Sequence, residues 1–267
     1  MKLTASIVVW HVELGELREC LRSLRSPAVG RVTVVDNAAE PRVAEFLAAE
    51  FPEAEYLPGE NVGYGAGHNR ALRLALERDR SEYHLVLNSD VRFDPAVLDR
   101  LVEVMDARPE VGQLQPRIEY PDGRLQDTVR MLPTPLDVFG RRFLPERWMR
   151  RRNERYLLRH VDHSREFNPP YHQGSFMLLR TEALRRVGLF DERFFMYPED
   201  IDLTRRIHEH YVTLYYPGER IVHDHRAGSY HNRRLLRIHC VNMLRYFAKW
   251  GFFLDPGRRA ANAPFRH

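Results

Sequence analysis

Apolar runs of strand length alternate with stretches of helical periodicity through the first half of this chain, and this alternation limits the fold more than any other feature. The runs are almost continuously apolar, as is typical of strands that are buried on both faces. We predict strands at 3–10, 31–35, 55–57 and 83–87, and helices at 14–24, 42–50, 66–79 and 95–107. Strands and helices in this order indicate an α/β fold with a mostly parallel sheet covered on both faces.

The second half is less regular. The segment 131–171 mixes prolines, arginines and aromatic residues without a clean period, and we interpret it as an excursion from the core, such as a mobile loop or lid. Beyond it we predict strands at 176–179, 212–216 and 220–223, and helices at 182–187 and 199–210. A basic amphipathic helix is predicted at 232–254, followed by a tail that could be loose. We therefore expect one α/β domain at 1–229 and a helical extension with tail at 230–267.

Charge and cysteine content narrow the class of protein. The net charge is +4, and arginines cluster at 141–155 and at 233–237, which favours an anionic partner without choosing among nucleic acid, phospholipid and phosphorylated substrates. Cys20 and Cys240 lie in helix-like apolar patterns, which argues against a disulfide framework. Neither a signal peptide nor an apolar run of about 20 residues is recognisable. These features together predict a cytoplasmic protein.

Two segments near the ends of early strands could contact a ligand. Asp36 follows the second strand, where ligands bind in open parallel sheets, but a carboxylate there could equally cap a turn. The segment NVGYGAGHN at 61–69 is a glycine-rich turn that enters a helix. Glycines allow close backbone approach and a helix N-terminus favours anions, but the spacing matches neither the dinucleotide fingerprint nor a P-loop. A tight loop without a ligand is the alternative.

Oxygen and nitrogen donors follow two later strands. Asn88 and Asp90 stand at alternate positions after the strand at 83–87, where they could be part of a simple turn or could bind Mg²⁺ or Mn²⁺ on a diphosphate. His223 and His225 flank an aspartate after the last strand, and either imidazole could complete a metal shell or be structural.

A group of carboxylates opens the helix at 199–210. Glu199 and Asp200 lie in its first turn, where acids complement the helix dipole. The chemical alternative is a general base, which must lie within hydrogen-bond reach of an acceptor hydroxyl.

Taken in order, these segments resemble the family 2 glycosyltransferases, inverting enzymes of the GT-A fold, and most closely the rhamnosyltransferase-like branch that acts on cell-surface polysaccharide. The matching segments are SIVVW (6–10), VVDNA (34–38), NVGYGAGHNRAL (61–72), LVLNSDV (85–91), GSFMLLRTEALRRVGLFDERFFMYPEDIDLTRRI (174–207) and VHDHRAGS (222–229). The resemblance covers most of the chain outside the excursion and the tail. It implies a Rossmann-like, mostly parallel central sheet flanked by helices, with a C-terminal helical extension and with 131–171 on the acceptor side.

The resemblance also implies roles for single residues. Asp200, with its neighbour Glu199, would supply the catalytic base, and Asp90 corresponds to the last acid of the family's Asp-x-Asp metal motif. His223, or alternatively His225, would bind the metal or the diphosphate. The implied nucleotide-binding residues are Asp36, Asn61, Gly63, Gly65, Asn69 and Asn88. Asn88 stands where the family motif has its first acid, so metal binding is expected to be weaker until the diphosphate arrives.

The expected reaction is metal-assisted single displacement, with Mg²⁺ or Mn²⁺, from a nucleotide-diphosphate sugar to a hydroxyl of a surface polysaccharide or glycolipid precursor. Rhamnose is the candidate sugar, and nucleic acid is not an expected partner. A nucleotidyltransferase is the alternative enzyme, although no glycine-rich loop with a lysine follows the first strand. A non-catalytic module that binds anionic polymers is the alternative from another class.

The basic helix at 232–254 raises the question of a membrane. Its Trp, Phe and Leu face among arginines fits a helix that lies on an anionic bilayer, such as the inner face of the cell membrane, while packing against the catalytic domain is the alternative. Because acceptors of the implied kind are often lipid-linked, we expect peripheral, salt-sensitive membrane contact without insertion across the bilayer.

Overall fold

A computed structural model of the chain describes residues 1–224 and 233–266. Its strands are β1 (Leu3–Val9), β2 (Val29–Asp36), β3 (Glu55–Pro58), β4 (Tyr83–Leu87), β5 (Val91–Arg92), β6 (Val111–Glu119), β7 (Val129–Arg130), β8 (Tyr171–His172), β9 (Phe176–Arg180) and β10 (Val212–His223). The helices are α1 (Leu14–Ser23), α2 (Pro41–Glu50), α3 (Tyr64–Glu77), α4 (Ala96–Ala107), α5 (Arg141–Phe143), α6 (Glu146–Tyr156), α7 (Thr181–Val187), α8 (Glu199–His208), α9 (Arg233–Trp250) and α10 (Pro256–Asn262). A π-helical turn covers Leu136–Gly140, and a 3-10 turn covers Ala263–Phe265.

Eight of these strands form one sheet in the order β3-β2-β1-β4-β9-β6-β10-β5, while β7 and β8 pair separately. Strands β1 to β4 are mutually parallel where they pair, and β6 is parallel to β10. Strand β9 runs antiparallel between β4 and β6, and the short β5 runs antiparallel to β10. The expected α/β fold with a mostly parallel sheet is confirmed.

The core lies on both faces of the sheet, as the apolar runs predicted. In β4, Leu85 and Leu87 belong to one apolar cluster, which also contains residues of α1, α2 and α4. Val86 between them belongs to a second cluster, which contains residues of α3, α7 and α8. Because successive side chains of a strand point to opposite faces, each face is covered by its own helices. This three-layer packing fixes the strand ends that carry the candidate site.

Strand β6 was not predicted, although it lies in the middle of the sheet. Its sequence contains Pro116 and two fully buried glutamines, Gln113 and Gln115. The side-chain N–H groups of Gln115 donate to the carbonyl oxygens of Gln173 and Phe176 at 2.8 and 2.9 Å, whereas its Oε1 and the Gln113 side-chain amide have no partner among the described residues. Buried polar groups that find partners far along the chain are invisible to a pattern of apolar residues.

The excursion and the tail are more ordered than predicted. Residues 131–171 contain the π-helical turn, α5 and α6, and they bury Met131, Tyr156 and Leu158 in a small apolar cluster. The tail, expected to be loose, forms α10, which buries Arg258 and Asn262. The two strands predicted at 212–223 form one strand, β10, with an irregularity between Tyr216 and Arg220. The expected domain boundary at 229 and 230 lies outside the described residues.

The second half of helix α9 packs against the rest of the protein. Met243, Tyr246 and Phe247 are buried in a cluster with Ile201 of α8 and Tyr171 of β8. Asn242 donates a hydrogen bond to the carbonyl oxygen of Met196 at 3.0 Å. Of the apolar side chains that suggested a membrane surface, Phe247 is buried in this packing, whereas Leu244 is 46% exposed, so membrane contact stays a prediction. In the parts of the chain that the structure describes, no helix combines the length and apolar character needed to cross a bilayer.

Candidate active site

The sequence-predicted residues meet along one edge of the sheet. Strands β1, β2 and β4 are parallel, so Asp36 at the end of β2 and Asn88 after β4 lie at the same edge. Strand β9 runs the other way and begins at Phe176 opposite Leu87, which brings the residues before β9 to this edge as well. His223 ends β10 and pairs with Val91 next to Asp90. This edge is where open α/β sheets bind their ligands.

Asp36 is fully buried, and its carboxylate organises the turn after β2. Oδ1 accepts a hydrogen bond from the backbone N–H of Ala38 at 2.9 Å. Oδ2 accepts from the N–H of Glu40 at 2.8 Å and from the hydroxyl of Tyr56 at 2.9 Å. Three donors account for most of the four lone-pair sites of a carboxylate. The turn-forming role considered from sequence is thus present in the structure, and a nucleotide contact stays a prediction.

The glycine-rich turn is shaped by close backbone approach. Asn61 accepts a hydrogen bond from the N–H of Gly63 through Oδ1 at 3.1 Å. Gly63 has φ of +96°, and a Cβ there would lie 2.2 Å from the carbonyl oxygen of Phe195. That same oxygen accepts from the N–H of Tyr64 at 3.0 Å, at the start of α3. Gly63 therefore permits both the left-handed backbone conformation and the contact with the 195 segment.

Gly65 and Asn69 hold α3 against the segment that precedes α8. A Cβ on Gly65 would lie 2.9 Å from Cβ of Phe190. Asn69 is buried, donates to the carbonyl oxygen of Phe190 and to Glu192, and accepts from the N–H of Phe190 at 3.0 Å. The Asn69 amide therefore bonds within the protein, and it is not exposed at a surface where a nucleotide could bind.

The hydroxyl of Tyr64 connects the two halves of the site. It lies 2.8 Å from Oδ1 of Asn88 and 2.7 Å from the carbonyl oxygen of Gly174, and it can donate its single proton to either. Burial, and then the negative charges of Glu199, Asp200 and Asp90, raise the pKa of Tyr64 well above its ordinary value. Tyr64 therefore stays a neutral donor, and it restrains the Asn88 side chain by a hydrogen bond.

Asp90 and His223 face each other. Oδ1 of Asp90 lies 3.3 Å from Nε2 of His223. That oxygen is buried and accepts no hydrogen bond from the described residues, although the rest of the Asp90 side chain is partly exposed. Nδ1 of His223 lies 2.9 Å from Oε1 of Gln126, which fits a proton on Nδ1 and a lone pair on Nε2.

A carboxylate oxygen without a donor, next to an imidazole nitrogen, fits a divalent cation with a mixed oxygen and nitrogen shell. Within residues 1–224 and 233–266, His, Cys, Asp and Glu side chains form no group of three that would hold a metal by itself. A cation held by Asp90 and His223 would therefore need further ligands from a diphosphate or water, as is usual for Mg²⁺. His225, the alternative ligand, lies outside the described residues.

Asp200 lies at the N-terminus of α8 and is almost fully buried. Its Oδ2 accepts from the N–H of Gly174 at 2.9 Å and from the hydroxyl of Tyr171 at 3.3 Å, and its Oδ1 accepts from the N–H of Ile201 at 2.7 Å. Burial raises the pKa of Asp200 to about 6, against the opposing effect of the two N–H donors and of the nearby Arg130 charge. The three donors leave one lone-pair site for a proton from a ligand.

Glu199, beside Asp200, has the more strongly perturbed carboxyl group. Burial, together with the Asp200 charge, raises the pKa of Glu199 well above its ordinary value. Its Oε2 is buried and has no hydrogen-bond partner among the described residues. Of the two neighbours, Asp200 is therefore the one that is ionised first as the pH rises, and it is the better candidate for a base near neutral pH.

The backbone just before α8 is strained. Tyr197 has φ of +93°, which is rare for a residue with a bulky side chain. Its ring stacks on His239 of α9, with centroids 4.7 Å apart. Burial, with smaller contributions from Arg142 and Arg130, lowers the pKa of His239 to about 4. Strain of this kind clusters at functional sites, and here α9 supports it.

Sequence reasoning missed three side chains close to Asp200. Tyr171 donates to it, and Arg130 lies over the Tyr171 ring at 5.5 Å from the centroid. Tyr64 reaches Gly174, whose N–H also bonds Asp200. Tyr171 and Arg130 lie at the borders of the excursion, where no periodicity separated them from other arginines and aromatics. Tyr64 lay within the glycine-rich turn but was not singled out there.

Comparison with known proteins identifies the class. Over 208 residues, or 74% of this chain and 67% of the relative, the sequence is 31% identical to the N-acetylglucosaminyl-diphospho-decaprenol L-rhamnosyltransferase of Mycobacterium tuberculosis. It is 24% identical to the rhamnosyltransferase WbbL of Escherichia coli K12, over 91% of this chain and 92% of that protein. The structure of GalNAc-T7 with UDP, GalNAc and Mn²⁺ superposes with a TM-score of 0.62 at 12% identity.

That superposition covers 84% of this chain and 44% of the GalNAc-T7 chain, and at such low identity it speaks for the shared GT-A fold alone. The family model for glycosyl transferase family 2 matches residues 6–188, which is well over half of the chain and includes the glycine-rich turn, Asp90 and Gly174. With the rhamnosyltransferase relatives and the sheet-edge site, this match shows that the chain belongs to glycosyl transferase family 2.

Proposed function

We propose that the chain transfers a sugar, with inversion, from a nucleotide-diphosphate sugar to the hydroxyl of a polysaccharide or glycolipid precursor. The observation that carries the proposal is the position of Asp200. It combines a pKa of about 6 with burial, and it lies at the same sheet edge as the Asp90 and His223 pair. A carboxylate that is ionised at neutral pH, next to a diphosphate site, can accept a proton from an attacking hydroxyl.

In the proposed reaction, Asp200 accepts the proton as the acceptor oxygen forms a bond to the anomeric carbon. The bond between that carbon and the diphosphate oxygen breaks, and its electron pair leaves with the nucleoside diphosphate. Tyr171 and the Gly174 N–H hold the Asp200 carboxylate in position throughout. A single displacement inverts the configuration, so no enzyme nucleophile is required.

Asp90 and His223 would hold a divalent cation, Mg²⁺ or Mn²⁺, at the diphosphate. Such a cation supplies neutralisation of the charge that develops on the leaving group. GalNAc-T7, which shares the fold, was crystallised with Mn²⁺, and this supports the choice of a divalent metal. Asn88, which accepts a hydrogen bond from Tyr64, would offer the cation a neutral oxygen where a carboxylate would bind it more strongly.

Two relatives are named as rhamnosyltransferases, and one is named for a diphospho-decaprenol acceptor. We therefore propose rhamnose as the first sugar to test and a lipid-linked precursor as the acceptor. Such an acceptor would place the enzyme in the cytoplasm, at the inner face of the cell membrane. The nucleotide is expected at the sheet edge that carries Asp36, Asn61 and Gly63.

Hydrolysis of a panel of nucleotide sugars, with Mn²⁺, Mg²⁺ or EDTA, tests the proposal. We expect slow release of a nucleoside diphosphate from one donor, and loss of this release with EDTA. Release of a nucleoside monophosphate would favour nucleotidyl chemistry. Tight binding of a nucleotide sugar without any turnover, with or without candidate acceptors, would favour a binding module.

A further inference from the structure

Two exposed apolar side chains, Phe253 and Leu254, form the tip of the turn between α9 and α10. Phe253 is 85% exposed and Leu254 is 90% exposed, the highest values among the large apolar residues that the structure describes. Scattered apolar side chains on a surface are ordinary, whereas an apolar patch indicates a partner. The surroundings of this tip decide which of the two applies.

The turn is braced from several sides. Gly251 has φ of +105°, and a Cβ there would lie 2.3 Å from the carbonyl oxygen of Leu254. Asp255 accepts from the N–H of Arg258 at 2.9 Å and forms a buried ion pair with Arg205 at 2.6 Å. The buried Arg258 side chain also donates to the carbonyl oxygens of Phe252 and Phe253, both at 3.3 Å. The exposure of the tip therefore belongs to a fixed turn.

The tip adjoins the π-helical turn and the helices that follow it. Arg258 also donates to the carbonyl oxygen of Pro133 at 3.2 Å, three residues before Leu136. The ring of Phe247 lies 6.3 Å from that of Phe139 and 5.7 Å from that of Phe252. Exposed apolar residues occur on both of the segments joined in this way. We call six of them the apolar face: Leu136, Phe143, Trp148, Phe252, Phe253 and Leu254.

Basic side chains accompany the apolar face. Helix α6 carries five arginines and two glutamates. One arginine, Arg152, is paired with Asp137 at 2.6 Å, and Arg147 lies over the Trp148 ring at 5.7 Å from its centroid. Arg150 and Arg151 are exposed. Aromatic and leucine side chains next to solvent-exposed arginines are the composition of surfaces that lie on anionic bilayers.

A buried cluster connects the tip of the apolar face with the residues around Asp200. Phe247, below the tip, shares an apolar cluster with Tyr171 and Ile201, which flank Asp200 in space and in sequence. We propose that the apolar face docks on an anionic lipid bilayer, with Phe253 and Leu254 entering the interface. The proposal rests on the proposed function, because a lipid-linked acceptor would be presented at such a surface. Docking of two copies through this face would bring their α6 arginines together, and the repulsion disfavours it.

Co-sedimentation with vesicles of phosphatidylcholine, with and without phosphatidylglycerol, tests the proposal. The full chain should bind the anionic vesicles at low salt and bind them less at high salt. The double variant Phe253→Ser/Leu254→Ser should bind at least about tenfold more weakly, because it removes the two side chains that enter the interface. Its nucleotide-sugar hydrolysis and its unfolding midpoint should equal those of the unchanged protein.

Matched variants test whether the α6 arginines and the position of the tip each contribute to vesicle binding. Arg150→Gln/Arg151→Gln should reduce binding and its salt dependence, while Arg185→Gln/Arg186→Gln, which removes the same charge from the exposed end of α7, should not. Leu244→Ser, on the exposed side of α9, should have little effect, which distinguishes the tip from the helix surface.

Three results would overturn the proposal: absence of binding to anionic vesicles at low salt, equal binding by the Phe253→Ser/Leu254→Ser variant, or a dimer in sedimentation velocity that this variant abolishes. Each of these leaves nucleotide-sugar hydrolysis in solution unchanged. Failure of the proposed function would instead appear as absent hydrolysis, whatever the vesicle result.

Discussion

Replacing Arg130 by glutamine removes a positive charge beside the proposed base. Arg130 lies over the ring of Tyr171, whose hydroxyl donates to Asp200, and its Nε donates to the carbonyl oxygen of Asp127 at 2.9 Å. Burial holds the pKa of Asp200 at about 6, and the Arg130 charge is one of the effects that keep it from rising further. Without that charge, the Asp200 pKa should increase.

The size of the increase follows from the geometry. The distances from Arg130 to the Tyr171 ring and from the Tyr171 hydroxyl to Asp200 put the guanidinium and carboxylate charges about 8 Å apart. At this separation and an effective dielectric constant of about 20, the two charges interact by roughly 2 kcal/mol. This corresponds to about 1.5 pKa units, and partial solvation of the Arg130 side chain reduces it to about one. A pKa near 7 would lower the ionised fraction of Asp200 from about a half to about a tenth at pH 6, and change it little at pH 8.

The assay is the pH dependence of kcat/KM for sugar transfer, or for donor hydrolysis, between pH 5 and pH 8.5, where activity should rise with pH as Asp200 loses its proton. The glutamine variant should lose about fivefold activity at pH 6 and recover near pH 8. Arg130→Lys keeps the charge and should restore the original profile. A loss of the same factor at every pH, or an unshifted acid limb, would refute the electrostatic reasoning and leave Arg130 a packing role.

Other variants test single parts of the site. Asp90→Asn should weaken binding of a nucleoside diphosphate by about tenfold in the presence of Mn²⁺, and calorimetry that finds no effect of Mn²⁺ on the unchanged protein would contradict the metal proposal. Tyr64→Phe should lower the free energy of unfolding by about 1 kcal/mol, measured in urea, because one partly buried hydrogen bond is lost. Gly63→Ala should cost about 2 kcal/mol or more, since it meets both a positive φ and the 195 carbonyl, whereas Gly15→Ala, with open space around it, should be neutral or slightly stabilising.

Much of the fold could be predicted because its strands are apolar on both faces. The strand candidates at 3–10, 31–35 and 83–87 correspond to β1, β2 and β4. Strand β6 was missed because it contains a proline and two buried glutamines, and the Gln115 N–H groups donate to carbonyl groups 58 and 61 residues away. Helix α10 was missed although its start is marked locally, since Asp255 caps the first turn by accepting from the Arg258 N–H and Pro256 is the first helical residue. Local patterns report burial and caps, but not partners from elsewhere in the chain.

The candidate site could likewise be predicted only in part. Residues at strand and helix ends could be chosen from their positions, and the structure does bring Asp90 to His223 and place Asp200 at this edge. Asn69 was chosen for its place in the glycine-rich turn, but its amide is used to bind the 190–192 segment. Tyr171 and Arg130 approach Asp200 only through tertiary packing, so nothing in the local sequence marked them.

Turnover of the Asp200→Asn variant tests whether Asp200 is the base of the reaction. Asparagine keeps the size of the side chain but cannot accept the acceptor proton, so kcat for sugar transfer should fall by about 10²–10⁴-fold. Calorimetry with the nucleoside diphosphate and Mn²⁺ should show nearly unchanged affinity, which also verifies that the variant is folded. Near-wild-type turnover by a folded Asp200→Asn variant would contradict the proposed reaction and remove Asp200 from the mechanism.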